Sequence, residues 1–158
     1  MIFCLSIMAY AQTPQDRATE LKKQAQSSLN QKDYIKARYL FKKAYEAFAS
    51  RENYPQAIEC GVQANALYVR ENFYKEGFEL CRDMEQLLWT GEQNKKKVFY
   101  DLRFLINKER LQMYTALKNP AQAKTQLDKL EEMANLAKND SLTEVLLYTK
   151  ANYYYTFN

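Results

Sequence analysis

Histidine is missing from all 158 residues, and glycine, proline and cysteine occur only three times each. Without imidazole the chain lacks the commonest general base, the commonest metal ligand and the base of most nucleophilic triads. Glycines at 61, 77 and 91 stand too far apart for a phosphate-cradling loop of the dinucleotide or P-loop kind. Cysteines at 4, 60 and 81 are too few for a structural zinc site when no imidazole can complete it. Adjacent carboxylates such as Glu131 and Glu132 point apart on a helix and read as surface charge. Neither enzymatic chemistry nor a cofactor or metal is expected. Charge of one sign is also scarce: Lys and Arg number 23 against 19 Asp and Glu, a formal +4. The clusters Lys22-Lys23, Lys42-Lys43 and Lys95-Lys96-Lys97 are matched by Glu20, Glu46, Glu92 and Asp101, which argues against a nucleic-acid partner.

What remains is helix-forming material. Ala, Leu, Lys, Gln and Glu dominate, and 47% hydrophobic with 14% aromatic residues can fill a core, so the fold class expected is all-α. Three series step by three, four, three and four residues. They are Tyr34, Ala37, Phe41, Ala44 and Phe48; then Tyr74, Gly77, Cys81, Met84 and Leu88; then Pro120, Ala123, Leu127, Leu130 and Ala134. Each spacing marks the buried stripe of one helix in the same phase. The second series follows the first by 40 residues and the third follows the second by 46, the recurrence of stacked helical hairpins.

The first residues read differently. Ile2 to Ala9 is apolar and uncharged, and Ala9-Tyr10-Ala11 is a small-x-small step, so a secretory signal over 1–11 with cleavage after Ala11 is expected. That run is too short to span a bilayer, which takes about 20 apolar residues. The other reading of the run is a buried first helix.

Punctuation divides the rest, 12–158, into hairpins over about 14–50, 55–89 and 96–138, plus a helix over 141–156. Thr13-Pro14 and Asn119-Pro120 supply a cap and a first-turn proline, and Ser141-x-x-Glu144 has the form of a capping box. Thr90-Gly91-Glu92-Gln93-Asn94 reads as the loop between the second and third hairpins. The seventh helix, ending in Tyr153-Tyr154-Tyr155, has no partner within the chain. Because a solenoid usually closes on a helix with a polar outer face, the expectation is a longer array or pairing of that helix with a second copy.

The first unit resembles a tetratricopeptide repeat (TPR). Ala25 stands at the small position of its first helix, Tyr34 opens the second, and Ala37, Phe41 and Ala44 follow at small, aromatic and small positions. The third unit keeps Ala123, with Leu127 and Leu130 behind it. The units are longer than the family's usual period of about 34 residues. The resemblance implies a right-handed superhelix of antiparallel helical hairpins whose first helices line a concave groove. Exported arrays of this kind also look like the sensor segments ahead of the membrane span in bacterial regulators such as sensor kinases.

Candidate binding residues follow from that groove. Lys22 and Gln26 share one face of the first helix, and Lys108 and Gln112 lie 86 residues further on, so a peptide groove using these four is the site expected. Cys60 and Cys81 stand at one level of the second hairpin if Ala25 and Ala37 define that of the first, which would allow a disulfide in an oxidising compartment. Tyr39, Tyr68, Tyr114 and Tyr148 offer either partner contacts or helix wedges. The function expected is a non-enzymatic protein-interaction or sensory scaffold, the periplasmic segment of a longer bacterial signalling protein. It would take a protein or peptide partner, and meet a membrane only through a downstream segment. The alternatives are a structural protein self-associating as a homodimer through its last helix, and a cytoplasmic adaptor.

Overall fold

A computed structural model describes residues 14–157, with side chains from Arg17 onward. The expected leader and its cleavage after Ala11 lie outside the described residues. Seven helices follow in order: α1 Pro14–Asn30, α2 Tyr34–Ala49, α3 Tyr54–Arg70, α4 Tyr74–Lys95, α5 Tyr100–Ala116, α6 Pro120–Ala137 and α7 Asp140–Phe157. Among the described residues there is no strand, and the chain is all-α. Each helix packs on the next, while α3 also touches α5 and α5 touches α7. The arrangement is compatible with a helical-repeat fold.

Four of the six connections are one turn used again. In each, a non-glycine residue takes the left-handed conformation: Lys32, Glu52, Asn72 and Lys118, with φ between 54° and 62°. The residue after it returns its amide to the carbonyl five positions back. These bonds run from Asp33 to Ser28, Asn53 to Phe48, Phe73 to Tyr68 and Asn119 to Tyr114, at 2.9, 3.1, 2.9 and 2.9 Å. This six-to-one bond satisfies carbonyls that a helix end leaves open. Asp33, Asn53 and Asn119 then cap the next helix by accepting from the amides of Lys36, Gln56 and Gln122. One short sequence thus ends one helix and starts another, which forces neighbours antiparallel.

The three stripes face inward as their spacing predicts. From Ala37, Gly77 and Ala123 onward every member is buried, and only the opening Tyr34, Tyr74 and Pro120 reach solvent. One core joins α1 to α4 and takes in Leu102, Ile106 and Met113 of α5. A second gathers Phe104 and Leu111 of α5 with α6 and α7. The fifth helix is therefore buried on two sides.

Two boundaries differ from expectation. Thr90 to Asn94 is the end of α4, not a loop. Gly91 lies against the ring of Tyr54, where a Cβ would come within 2.5 Å of a ring carbon. Glu92 is buried and accepts from the Phe99 amide at 2.9 Å and from Arg103 Nε at 2.8 Å. The glycine and the carboxylate there serve helix packing and a staple to α5, so they do not loosen the chain. At α7 the cap is Asn139, whose Oδ1 accepts from the Ser141 amide at 3.0 Å, in place of the capping box expected at Ser141.

The glycines separate by what they touch. At Gly61 an added methyl would meet the flexible thioether of Met84, and at Gly91 the rigid ring of Tyr54. Gly91→Ala is expected to cost about 1–3 kcal/mol through overpacking. Gly61→Ala should lie near neutral, because the gain in helix propensity of about 1 kcal/mol offsets the shift of Met84. Urea denaturation of the two variants checks the contrast, and equal losses would refute it.

Candidate functional site

Two of the four expected groove residues lie together. Lys108 and Gln112, one turn apart on α5, face α7 across an open cleft of about 400 Å³. The opposite wall carries Tyr148, Thr149, Asn152, Tyr153 and Thr156. Thr149, Asn152 and Thr156 fall at helical spacing, which puts hydroxyl and amide groups on one face between two phenols. The α7 wall is fixed from below by Leu142 and Leu146 in the second core. Further along, Tyr153 donates to the Pro120 carbonyl at 3.5 Å, and Lys150 pairs with Glu131 of α6. Lys108 and Lys118 are the charged groups lining the cleft, so it favours anionic or strongly polar ligands.

Lys22 and Gln26 belong elsewhere. Lys22 donates to Gln56 Oε1 at 2.9 Å and pairs with Glu59 at 2.7 Å, tying α1 to α3. Gln26 is exposed and donates to Asn30 at 3.2 Å. Neither lines the α5–α7 cleft. Identical steps along α1 and α5 are therefore put to different uses: α1 reaches its stacked neighbour, while α5 looks into the space before α7.

Behind the cleft wall is a buried polar pair. Asn65 of α3 donates through Nδ2 to Glu109 Oε2 at 3.1 Å, and Lys108 Nζ lies 3.8 Å from the other carboxylate oxygen. Glu109 is only 2% exposed, and burial pushes its carboxyl above the ordinary carboxylate range despite Asn65 and Lys108. Asn65 Oδ1 has no donor. Glu92 behaves oppositely, since the hydrogen bond from Arg103 holds its carboxyl below the usual range.

Cys60 and Cys81 are both buried and both free in this structure, the arrangement of two small core residues rather than of a bonded pair. The level was read correctly, because Asn65 and Gly77 meet across the hairpin, where a Cβ on Gly77 would lie 3.0 Å from Asn65 Oδ1. Level fixes height and not direction, however. Cys60 is five residues from Asn65 and so is turned about 140° around α3. It sits near Lys22, whereas Cys81 sits near Arg110 and Glu109. Burial pushes both thiols up to about 12.

Of the phenols, Tyr148 is 70% exposed at the cleft mouth. Tyr39 is exposed on α2, Tyr68 lies under the Arg38 guanidinium at 4.9 Å, and Tyr114 packs on Phe78 at 4.8 Å. The α7 residues Thr149, Asn152 and Thr156 escaped the sequence reading, although their polar spacing on an otherwise aromatic helix was the available signal. Among the described residues no three Cys, Asp or Glu side chains converge as a metal site. None of them lies in a helix long and apolar enough to cross a membrane. No family model, curated protein or solved structure matches the chain.

Two expectations follow. A folded protein holding its proton at Glu109 above the unfolded carboxyl value of about 4.3 loses stability as pH rises between those two values. Glu109→Gln removes that loss. The variant should gain stability relative to the wild type as pH rises from 4.5 to 7.5, in denaturant titrations at the two pH values. The second concerns the thiols. In a Cys4→Ser chain, native alkylation should leave Cys60 and Cys81 unmodified over an hour at pH 8, whereas in urea both react. Rapid native labelling would contradict the burial.

Proposed function

We propose that the chain is a non-enzymatic binding scaffold, a divergent tetratricopeptide-like array that takes a peptide segment of a partner protein in the α5–α7 cleft. The observation that carries this reading is the cleft itself. It has a stable floor, two lysines, a row of neutral hydrogen-bonding groups and phenol walls, but no converging acid, base and nucleophile. Such a surface suits shape-complementary recognition of a backbone and an acidic or terminal carboxylate. Export after Ala11 and a periplasmic location belong to the same proposal and rest on the apolar leader and the Ala-x-Ala step, while membership of a longer bacterial signalling protein rests on the likeness of divergent, aromatic-rich helical arrays to exported sensor segments.

A second reading has its own support. Outside the cleft, α7 leaves Leu147 exposed and Tyr155 92% exposed, so this helix offers apolar area to a second copy of the chain. Peptides selected from a random library on the wild-type protein test the first reading. Lys108→Glu and Tyr148→Ala should each weaken a selected peptide by about tenfold or more in fluorescence anisotropy, while Lys22→Glu leaves it unchanged. Peptides indifferent to both cleft variants would sink it. Sedimentation that shows a dimer dissociated by Leu147→Asp with Tyr155→Ser would favour self-association instead.

A further inference from the structure

A second cleft, of about 560 Å³, opens where α4 and α6 stand apart over α5. Its features differ in kind from those of the α5–α7 cleft, and nothing in it depends on peptide binding there. Gln126 of α6 is only 5% exposed, and its Oε1 meets no donor. The same residue lines the cleft, with its Oε1 shut off from solvent. A buried amide without partners is unfavourable, and rotation of its end can present either oxygen or NH₂ to whatever occupies that space.

The charges around that amide are lopsided. Lys75 and Arg82 on α4 and Lys129 on α6 line the cleft, are exposed, and enter no ion pair among the described residues. Arg110 of α5 is held by Glu85, with a second contact of 2.7 Å that fixes its guanidinium at the floor. Glu79 is the lining carboxylate, and it leaves an excess of positive charge. A scaffold that needed only solubility would scatter these cations. Here they line the same cleft as a buried amide whose oxygen has no donor.

We infer that the α4–α6 cleft binds the phosphate group of a small phosphorylated molecule. Donors line it from three helices, which suits a tetrahedral dianion with several acceptor oxygens better than a planar carboxylate. Gln126 turns its NH₂ to one oxygen, while Arg82 and Lys129 take others from opposite walls. Calorimetry of the full chain in phosphate-free, low-salt buffer tests the assignment with inorganic pyrophosphate, and with citrate as an anion of comparable charge. Saturable pyrophosphate binding is expected, with citrate about tenfold weaker or more. Arg82→Glu with Lys129→Glu should abolish it, while Lys36→Glu on α2 leaves it unchanged. Gln126→Leu gives the sharper test. It should hold or raise the melting temperature, because a buried orphan amide is gone, yet weaken pyrophosphate about tenfold. Four results would each overturn the inference: no saturable binding at millimolar pyrophosphate, equal affinity for citrate, equal weakening by Lys36→Glu, or unchanged affinity in Gln126→Leu.

Discussion

Everything after Lys95 is anchored through one helix with little face to spare. Leu102, Ile106 and Met113 of α5 enter the core built by the first four helices, while Phe104 and Leu111 enter the core shared with α6 and α7. Burying a helix on two sides leaves few directions for its polar residues, and α5 shows where they go. Glu109 is pressed against Asn65, Arg110 turns to Glu85, Arg103 to Glu92, and Lys108 is left to the cleft. Both candidate sites share this helix: one opens between it and α7, the other over it between α4 and α6. Their side chains are positioned by packing, and no flexible loop has to order itself around a ligand.

The same circumstance explains how much of the fold could be read beforehand. Helices α2, α4 and α6 each expose one long side, so their apolar residues fall into a single stripe, and the three stripes stood out by spacing alone. The fifth helix has no such stripe, because residues at 102, 104, 106, 111 and 113 point to two different cores. Gly91 and Asn94 carried the composition of a loop, yet the glycine is a contact surface for Tyr54 and the helix continues past it. Composition records what a residue permits. Only the neighbour across the interface decides which permission is used.

The sites were less legible for a related reason. Repetition pointed to Lys108 and Gln112, which line the α5–α7 cleft, and also to Lys22, whose equivalent position is spent on Glu59 and Gln56 of the stacked helix. Whether a lysine binds a neighbour or a ligand depends on the spacing of elements far apart in sequence, which a local pattern does not carry. Gln126 is harder still. It sits between Thr125 and Leu127 on a helix rich in polar residues, and nothing local marks its amide as buried and unpartnered. The expected disulfide turns on geometry of the same order, because a hairpin level sets height while bonding also needs direction.

The repeated turn carries a consequence for how the chain comes apart. Its left-handed position is filled by Lys32, Glu52, Asn72 and Lys118, and the αL ends of α4 and α6 fall on Lys96 and Lys138. A side chain in that region is strained relative to glycine, so each such position is held in place by the cores on either side of it. Four of the six are lysines, so these helix boundaries are also peptide bonds that a lysine-directed protease recognises. Limited digestion would thus cut between whole helices, and among these sites Lys96 is the one that falls between the first four helices and α5, the helix shared by the two cores.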